Sequence, residues 1–424
     1  MTGYILFGTL FFLLFLGVPI AICLGVAAAV TMFATGATRY FLTIPTRLFV
    51  QVDNFALMAV PFFILAGNIM AEGGISSRLI AFFEIILKRI AGRLACISVV
   101  ASAFFGAISG SNPATVAAIG GITAPRMMQK GYPADLAAAI AASSGTLGVV
   151  IPPSIPMVTY AVTASVSVVG MFAAGWVPGI MLMVGLCALN MYKCRSFDSV
   201  DNTKYSAKDY VLRFKDALLA LLMPFIILGG IYSGVFTPTE SASVACVYAL
   251  IISIFVYREL DGKKLFKIFL DSCISAGVVL FVVATSAPFA WYMTSINLPT
   301  TISTVVMGAF SNKFVILFVM NLLLLFLGCF LETQSIILLV TPILLPIAKA
   351  LGVDPIALGL IIIVNTSIGM ITPPMAVNIF VATGLCKTTI GAVSKKIIPY
   401  LFLEFGLLLL YTYIPVITGI SLGW

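Results

Sequence analysis

Two segments of this chain combine residue types that can bind a cation inside a membrane. Gly148-Val-Val-Ile-Pro-Pro153 lies in a strongly apolar stretch, and Gly369-Met-Ile-Thr-Pro-Pro374 repeats it 221 positions later (369 − 148). Because proline has no N–H, each Pro-Pro pair leaves the carbonyl groups four residues earlier without helical partners. Uncommitted carbonyls beside hydroxyl and amide groups suit a hard monovalent cation. The two segments therefore predict the ion and substrate site of a secondary transporter.

Two further breaks supply the polar partners that such a site needs. Ser109-Gly-Ser-Asn-Pro113 interrupts one apolar run, and Leu331-Glu-Thr-Gln-Ser335 interrupts another. The helices that restart after Asn112 and Thr333 direct positive N-termini toward the middle of the membrane, where they favour an anion. Glu332 is an acid at that depth, either functional or a hydrated carboxylate at a cavity rim. The predicted neutral oxygen donors are Ser109, Ser111, Asn112, Ser143 and Ser144 in one half, and Thr333, Gln334, Asn365, Thr366, Ser367 and Thr372 in the other.

The composition indicates which elements hold these segments. Of the 424 residues, 61% are hydrophobic and 9% are charged, and the mean hydropathy is +1.17. Soluble domains carry about 25% charged residues. Apolar runs of about 20 residues, the length that crosses a bilayer, recur along the chain. The predicted fold class is an all-α polytopic membrane protein whose net charge of +8 orients it in the lipid bilayer, with no basic soluble face for nucleic acid.

Residue types that are missing from the sequence narrow the function further. The chain has no histidine, and its eight cysteines are scattered without C-x-x-C spacing. We therefore expect no metal other than sodium and no cofactor. A membrane enzyme would need a nucleophile, a metal cluster or an acid/base pair, and no H-E-x-x-H or G-x-S-x-G motif occurs, so no catalytic residue is predicted. Met1-Thr-Gly-Tyr4 has no positive region, and we expect no cleaved signal peptide.

Lysine and arginine clusters predict the topology. By the positive-inside rule, the clusters Arg78–Arg93, Lys193–Lys215, Arg258–Lys267 and Lys387–Lys396 are all cytoplasmic. Each half of an interrupted run is too short to span the membrane alone, so each run is predicted to be a hairpin that turns back near the midplane. Counting spans from the third cluster places the second hairpin on the outer side. The two halves are thus predicted to have inverted topology, with both chain termini outside.

The same offset predicts the domain organisation. The first repeat covers residues 1–192, with an inner hairpin at about 94–125 and a broken helix at about 135–165. A cytoplasmic linker at 193–215 joins it to the second repeat, 216–424, which has an outer hairpin at about 314–346 and a broken helix at about 355–386. Residues 4–36 form either two short spans, broken at Gly17-Val-Pro19, or one long kinked helix.

Four longer motifs resemble a known transporter family. They are Leu65-Ala-Gly-Asn-Ile-Met70, the Ser143–Met157 stretch around the first Pro-Pro pair, Pro224–Glu240, and Thr341-Pro-Ile-Leu-Leu-Pro-Ile-Ala348. From about Tyr4 onward the chain resembles the large membrane subunit of tripartite ATP-independent periplasmic transporters. The resemblance implies a sodium-coupled importer of organic acids with an elevator mechanism, in the bacterial inner membrane, so the two termini predicted to lie outside would be in the periplasm. It also implies two partners, a small four-helix membrane subunit and a soluble periplasmic substrate-binding protein.

The resemblance further implies binding residues for sodium and for the substrate. Sodium site 1 comprises Ser109, Gly110, Asn112, Ser144, Gly148, Ile151 and Pro153, and sodium site 2 comprises Gly328, Glu332, Thr333, Gln334, Thr366, Gly369 and Thr372. The implied substrate ligands are Ser111, Asn112, Ser154, Thr333 and Asn378.

The outer break departs from the pattern of this family. Many dicarboxylate transporters of the family carry an Asp-Pro pair where this chain has Glu332-Thr333-Gln334. The substrate is therefore a sialic acid, a dicarboxylate or another carboxylate. A sodium-coupled symporter that works alone would share the inverted hairpins and stays an alternative. A passive channel would not need broken helices from both sides.

Overall fold

The structure is a computed structural model that describes residues 2–197, 206–310, 312–373 and 376–418. The described residues are almost entirely helical and contain no strand, which confirms the predicted all-α fold class. Two predicted features lie outside the described residues. They are Pro374, at the end of the repeated motif, and the middle of the linker, 198–205.

The described residues up to 197 contain twelve α-helices. A π-helical turn, Val116–Gly120, joins the seventh to the eighth. The helices are α1 (Thr2–Phe15), α2 (Ile20–Ala34), α3 (Thr43–Val52), α4 (Ala59–Glu72), α5 (Ile75–Ile86), α6 (Arg93–Ser109), α7 (Asn112–Thr115), α8 (Gly121–Gln129), α9 (Ala134–Ser144), α10 (Leu147–Val150), α11 (Ile155–Ala164) and α12 (Val168–Lys193).

Nine more α-helices occur among the described residues from 206 onward. The longest has 34 residues. The helices are α13 (Ala207–Tyr232), α14 (Pro238–Ile251), α15 (Gly262–Ser295), α16 (Leu298–Ala309), α17 (Lys313–Gly328), α18 (Thr333–Ala350), α19 (Pro355–Gly369), α20 (Val377–Cys386) and α21 (Ile390–Thr418).

The 221-residue offset relates the two sets of helices. Subtracting 221 from the bounds of α18 gives 112–129, the stretch from α7 to α8, and subtracting it from α20 gives 156–165, close to α11. One pair differs, because α15 is continuous whereas its counterpart is divided into α3 and α4. Asn54 causes the division, since its side chain accepts the N–H of Ala56 and begins a short 3₁₀ helix.

Two helices, α1 and α2, occupy the N-terminal region for which the sequence left two alternatives. Gly17 lies between them with φ +79°, a left-handed conformation that glycine adopts without strain. Pro19 precedes α2 with an extended backbone. The two helices pack against each other, so residues 4–36 form a pair of short helices.

The apolar helices have the lengths expected of a multi-pass membrane protein. Within the described ranges, seven helices are long and apolar enough to span a membrane, or eight if the pair Ala134–Val150 and Ile155–Ala164, bent by 42°, counts as one span. Large apolar side chains such as Phe15, Phe225 and Phe402 are exposed on the perimeter, where lipid would cover them.

The basic clusters meet at one end of the molecule. The first cluster contacts the second through Lys88 and Tyr210 and the third through Arg78 and Glu259, and Lys193 of the second contacts Tyr400, just beyond the fourth. The contacts are Arg78 Nη1 to Glu259 Oε1 at 2.6 Å, Arg78 over the Tyr257 ring at 3.7 Å, Arg126 with Glu84, Lys88 over the Tyr210 ring at 5.2 Å, and Lys193 over the Tyr400 ring at 5.9 Å. This arrangement is what the positive-inside rule requires of a shared cytoplasmic end.

The most deeply buried helices lie at the centre of the protein. Nearly every residue of α9, α10 and α19 is buried, and the first half of α18 is buried as well. Small side chains allow this packing, since α9 contains a run of alanines that lets neighbouring helices approach closely. The central helices therefore hold the predicted breaks in a rigid surrounding.

Candidate functional site

The first hairpin turns at the inner tip, residues 109–114. Gly110 there has φ +57°, and a Cβ on it would lie 2.8 Å from the backbone nitrogen of Ile155. The Ser111 carbonyl accepts the Thr115 N–H at 3.1 Å and the Thr115 hydroxyl at 2.7 Å. The inner tip is thus fixed against the first break, residues 145–155, which separates α9 from α11.

Asn112 connects the inner tip to the first break and to the second break, residues 366–373 at the end of α19. Its Oδ1 accepts the N–H of Val149 at 3.0 Å, in the first break. Its Nδ2 donates to Ser367 Oγ at 2.7 Å and lies 3.5 Å from Met370 Sδ, both in the second half. Because Asn112 is fully buried, these bonds make it a structural link between the two halves of the chain.

Glycines allow two helix crossings at corresponding positions. A Cβ on Gly106 of α6 would lie 2.8 Å from the Cα of Gly148, and a Cβ on Gly369 would lie 2.4 Å from the Cα of Gly328. The two crossings are related by offsets of 222 (328 − 106) and 221 (369 − 148). Any side chain would force the backbones apart, so the glycines bring each hairpin against its break.

The second hairpin turns at the outer tip, residues 329–334, before α18 begins at Thr333. The Thr333 hydroxyl lies 3.7 Å from Met370 Sδ, so Met370 contacts both tips. Gln334 is buried, and its Oε1 has no hydrogen-bond partner among the described residues. An unpaired buried amide oxygen is costly, which makes Gln334 Oε1 a candidate ligand atom for a bound group.

Residues in equivalent positions of the two halves contact each other at the centre. Ser367 Oγ donates to the carbonyl of Thr146 at 2.7 Å, and their numbers differ by 221 (367 − 146). These two equivalent residues thus contact each other across the two halves of the chain. The two breaks therefore lie together at the middle of the protein.

A cavity of about 400 Å³ lies between the two tips. Its walls come from both hairpins, both breaks and two other helices, α4 and α15. The lining residues that carry polar side chains are Asn68, Ser109, Ser111, Asn112, Ser275, Glu332, Thr333 and Gln334. A volume of this order suits a small organic acid.

The cavity contains an acid and no base. Glu332 is exposed to it, and no lysine or arginine occurs among the described residues that line it. The N-terminus of α18 points its unpaired backbone N–H groups at the same space. A carboxylate ligand would therefore meet the positive N-terminus of α18, which attracts it, and the acid Glu332, which repels it. No cationic side chain among the described lining residues offsets that repulsion.

The structure brings some of the predicted site residues to the cavity and places others elsewhere. Of the predicted substrate ligands, Ser111, Asn112 and Thr333 line the cavity, and Ser154 is buried beside Gly110. Asn378 does not line it, because its Nδ2 donates to the carbonyl of Ala142 at 3.2 Å.

The sodium-site predictions divide in the same way. Ser109, Gly110, Asn112, Glu332, Thr333 and Gln334 line the cavity, and Gly148, Gly328 and Gly369 lie at the glycine crossings. Ile151 contacts Gly179 of α12 instead. Thr366 and Thr372 donate their hydroxyls to carbonyls of α19, at 2.9 Å to Ile362 and 2.9 Å to Ile368. Ser144 is buried and its hydroxyl has no partner in the described part of the chain, while Pro153 is buried in the first break.

The prediction of uncommitted carbonyls in the second break is wrong for two residues. The Gly369 carbonyl accepts the N–H of Thr372 at 2.9 Å, and the Met370 carbonyl accepts the N–H of Asn378 at 3.1 Å. The reason is that the chain turns at this point, so N–H groups outside the regular helix replace the lost helical donors. A carbonyl oxygen has two lone pairs, so each can still accept a cation as a second partner.

Three polar residues at or near the cavity were missed by the sequence analysis. Asn68 and Ser275 line the cavity from α4 and α15, and Asn68 donates to Ser272 at 2.9 Å. Glu404 on α21 is fully buried and contacts Thr146. A lone acid inside an apolar helix is a signal for Glu404, whereas only the tertiary structure shows that α4 and α15 face the tips.

Comparison with known proteins identifies the group to which these features belong. The family model described as "Tripartite ATP-independent periplasmic transporter, DctM component" matches residues 7–417. The C4-dicarboxylate transporter large permease DctM of Pseudomonas aeruginosa is 40% identical over 372 residues, which are 88% of this chain and 87% of that protein. The sialic acid transporter large permease SiaM of Vibrio cholerae is 34% identical, over 87% of this chain and 86% of that protein.

A longer relative and a solved structure extend the comparison. The isethionate permease DctMQ of Oleidesulfovibrio alaskensis is 40% identical over 87% of this chain, which spans only 58% of that protein. The crystal structure of the YdaH transporter of Alcanivorax borkumensis has a TM-score of 0.64 at 15% identity, over 92% of this chain and 91% of that one. This second likeness concerns the fold alone.

Proposed function

Because this chain belongs to the DctM-component family of tripartite ATP-independent periplasmic transporters, we propose that it carries an organic acid into the cell together with sodium. It is the large permease subunit of such a system, a multi-pass membrane protein. In this proposal the cavity between the inner and outer tips holds the substrate, and sodium ions bind next to it.

The observation that carries the proposal is the charge of the cavity. When Glu332 is ionised, it and a carboxylate substrate repel each other, and no basic side chain among the described lining residues offsets the repulsion. A cation that binds between them removes it, because two unit charges about 4 Å apart interact by several kcal/mol in a partly buried site. Substrate binding then requires the cation, which is the thermodynamic basis of coupled transport.

Neutral oxygens that lack partners support sodium as this cation. Gln334 Oε1 near the outer tip and Ser144 Oγ near the first break are both buried and unpaired in the described structure. Hard monovalent cations prefer such oxygen ligands. We assign sodium site 1 to the inner tip with the first break, and sodium site 2 to the outer tip with the second break.

The proposed movement is that of an elevator. The cavity lies between the tips, on one side, and α4 and α15, on the other. A Cβ on Gly67 of α4 would lie 2.9 Å from Ser109 Cα, so this boundary is smooth and closely packed. We propose that the two hairpins with their breaks slide as one body along a scaffold that includes α4 and α15.

Contacts at the second hairpin support inverted topology. Tyr413, near the end of α21, donates to the carbonyl of Phe314 at 2.9 Å, whereas Lys193 at the basic end contacts Tyr400 of the same helix. From Tyr400 to Tyr413 an α-helix rises about 20 Å. The second hairpin thus begins at the end of the molecule opposite the basic clusters. We propose that this opposite end, with both chain termini, faces the periplasm, and that the protein lies in the bacterial inner membrane.

The partners and the substrate class follow from the family. We propose that a small membrane subunit and a soluble periplasmic binding protein complete the transporter. Relatives are named for C4-dicarboxylates, sialic acid and isethionate, each of which is a small polar molecule with at least one acidic group. Glu332 in the cavity favours acids that also carry hydroxyl or amino donors, because a carboxylate accepts hydrogen bonds from them.

Ion replacement tests the proposal. Proteoliposomes that contain this chain and its small membrane subunit, with the soluble binding protein outside, should accumulate labelled acid under an inward sodium gradient. Succinate, a sialic acid and isethionate serve as probes. Potassium or choline in place of sodium should abolish accumulation.

Two outcomes would lead to other conclusions. Equal accumulation driven by a proton gradient without sodium would contradict sodium coupling. Full uptake without the soluble protein would favour the alternative, a sodium-coupled carboxylate symporter that works alone.

A further inference from the structure

Glu404 is a fully buried acid in the middle of α21 that none of the proposed binding sites uses. Its side chain is 0% exposed. Thr146 Oγ1 lies 3.2 Å from Glu404 Oε1, and Oε2 has no hydrogen-bond partner in the described part of the chain. No ion pair to Glu404 occurs there either. A carboxyl group in such a place is costly, so its presence needs a reason.

Buried polar contacts link Glu404 to the inner tip through Thr146 and Ser367. Glu404 contacts the hydroxyl of Thr146, and the carbonyl of Thr146 accepts the hydroxyl of Ser367 at 2.7 Å. Ser367 Oγ in turn accepts Asn112 Nδ2 at 2.7 Å. Each member is fully buried, so water does not compete for these bonds.

The role of Glu404 depends on which of these polar groups supplies the hydrogen in each contact. The Thr146 hydroxyl has one hydrogen, and the carbonyl of Ser143 lies closer to it, at 2.7 Å, than Glu404 does. If the hydroxyl donates to Ser143, the contact with Glu404 is favourable only when a hydrogen comes from the glutamate side chain. A side chain that can both donate and accept a hydrogen bond therefore suits position 404 better than one that can only accept.

We propose that Glu404 is a positioning residue for the inner tip, acting through Thr146 and Ser367 on Asn112. The inference rests on the proposed sodium coupling, because Asn112 belongs to sodium site 1. Glu404 touches neither the substrate nor the ion. Its carboxyl group fixes the turn at Thr146, which lies where the two halves of the protein meet, and so sets the position from which Asn112 faces the cavity.

Three substitutions separate positioning from packing. Glu404→Gln keeps an acceptor and adds a fixed donor, Glu404→Met keeps the volume without either, and Thr146→Val removes the hydroxyl in between. Thr412→Val is the matched control, since Thr412 is also buried on α21 and, among the described residues, its hydroxyl bonds to the carbonyl of Leu408 in the same helix.

The measurement is the sodium concentration that gives half of the sodium-dependent thermal stabilisation of the purified chain with its membrane partner. We expect Glu404→Met and Thr146→Val each to raise this sodium concentration roughly fivefold, which corresponds to about 1 kcal/mol of sodium-binding free energy. The variant with both substitutions should raise it no further. Glu404→Gln and Thr412→Val should stay within about twofold of the unchanged protein. The melting temperature without sodium reports packing separately.

Each remaining outcome overturns one specific claim. If Glu404→Met changes only the melting temperature without sodium, Glu404 is a packing residue and the positioning proposal fails. If Glu404→Gln is as impaired as Glu404→Met, the position needs an ionisable group and positioning by hydrogen bonds is wrong. If the unchanged protein shows no sodium-dependent stabilisation at all, the proposed sodium coupling itself fails, which is a different result from either of these.

Discussion

Two side chains, Asn112 and Met370, join the two halves of the protein at the cavity. Asn112 bonds to Val149 in its own half and to Ser367 in the other, while Met370 contacts the side chains of both Asn112 and Thr333. Asn112 and Thr333 are equivalent residues, since their numbers differ by 221 (333 − 112). Asn112 is nevertheless more constrained than Thr333, because the Asn112 amide makes three contacts and the Thr333 hydroxyl makes one.

Truncation of the two equivalent residues is expected to weaken sodium binding to different extents. Asn112→Ala removes an oxygen and two cross-links between the halves, so we expect the half-saturating sodium concentration for transport to rise by roughly tenfold, which corresponds to about 1.4 kcal/mol. Thr333→Ala removes one hydroxyl, for which an increase of about threefold is expected. Transport measured against sodium concentration, with thermal stability alongside, checks this. Loss of stability with unchanged sodium dependence would assign both residues to packing.

The sequence predicted the local chemistry of these residues but not their partners. Glycine, proline and neutral polar residues at the tips and breaks are visible as interruptions of apolar runs. The bond between Thr146 and Ser367, by contrast, joins residues far apart in the chain, and only the packed structure shows it. For the same reason Glu404 was missed, because its importance comes from the residue that it faces.

At the scale of helices, the repeat predicts interrupted segments at about 94–125 and 314–346. The structure has α6, α7 and α8 in residues 93–129, and α17 and α18 in residues 313–350. Interrupted apolar runs reveal such elements because a break changes both hydropathy and glycine or proline content. The division of α3 from α4, where the second half has one long α15, was not predicted because only one half carries the break at Asn54.

The glycine crossings give a prediction about helix packing. Gly369→Ala places a Cβ 2.4 Å from Gly328 Cα, so α17 and α19 must separate, and we expect a loss of about 1–3 kcal/mol in stability. Gly384→Ala on α20 is the control, because a Cβ there has no atom within 4 Å. Thermal unfolding of both variants in detergent checks the difference. Equal stability of the two variants would mean that the crossing is not close-packed.

At the scale of the whole molecule, two related halves share one central site. The tips of both hairpins line the same cavity, and the equivalent residues Thr146 and Ser367 touch at the centre. An arrangement of this kind has two states of equal geometry, one open to each side, if the halves are inverted in the membrane. The proposed location of the substrate, between the hairpins and the proposed scaffold, would then explain how one cavity can serve both faces.

Labelling from the two sides tests the inverted arrangement. Single cysteines at Ser111 and Thr333, in a background with the exposed Cys273 replaced by serine, should react with a membrane-impermeant reagent from opposite sides or in a conformation-dependent way. Sodium and substrate should change the labelling rate at one tip more than at the other. A cysteine at the exposed Tyr4 is the control for the orientation of the protein in the vesicles. Reaction of both tips only from the periplasmic side in every condition would show that the halves are not inverted.

The central claim is that sodium crosses the membrane together with the substrate. The most direct measurement is the entry of radioactive sodium into proteoliposomes when the organic acid and its binding protein are added, with the membrane potential held at zero. We predict sodium entry that begins with the substrate, stops when the substrate is omitted, and stands in a fixed ratio to substrate uptake. Substrate uptake with no sodium entry above the substrate-free level would contradict the account.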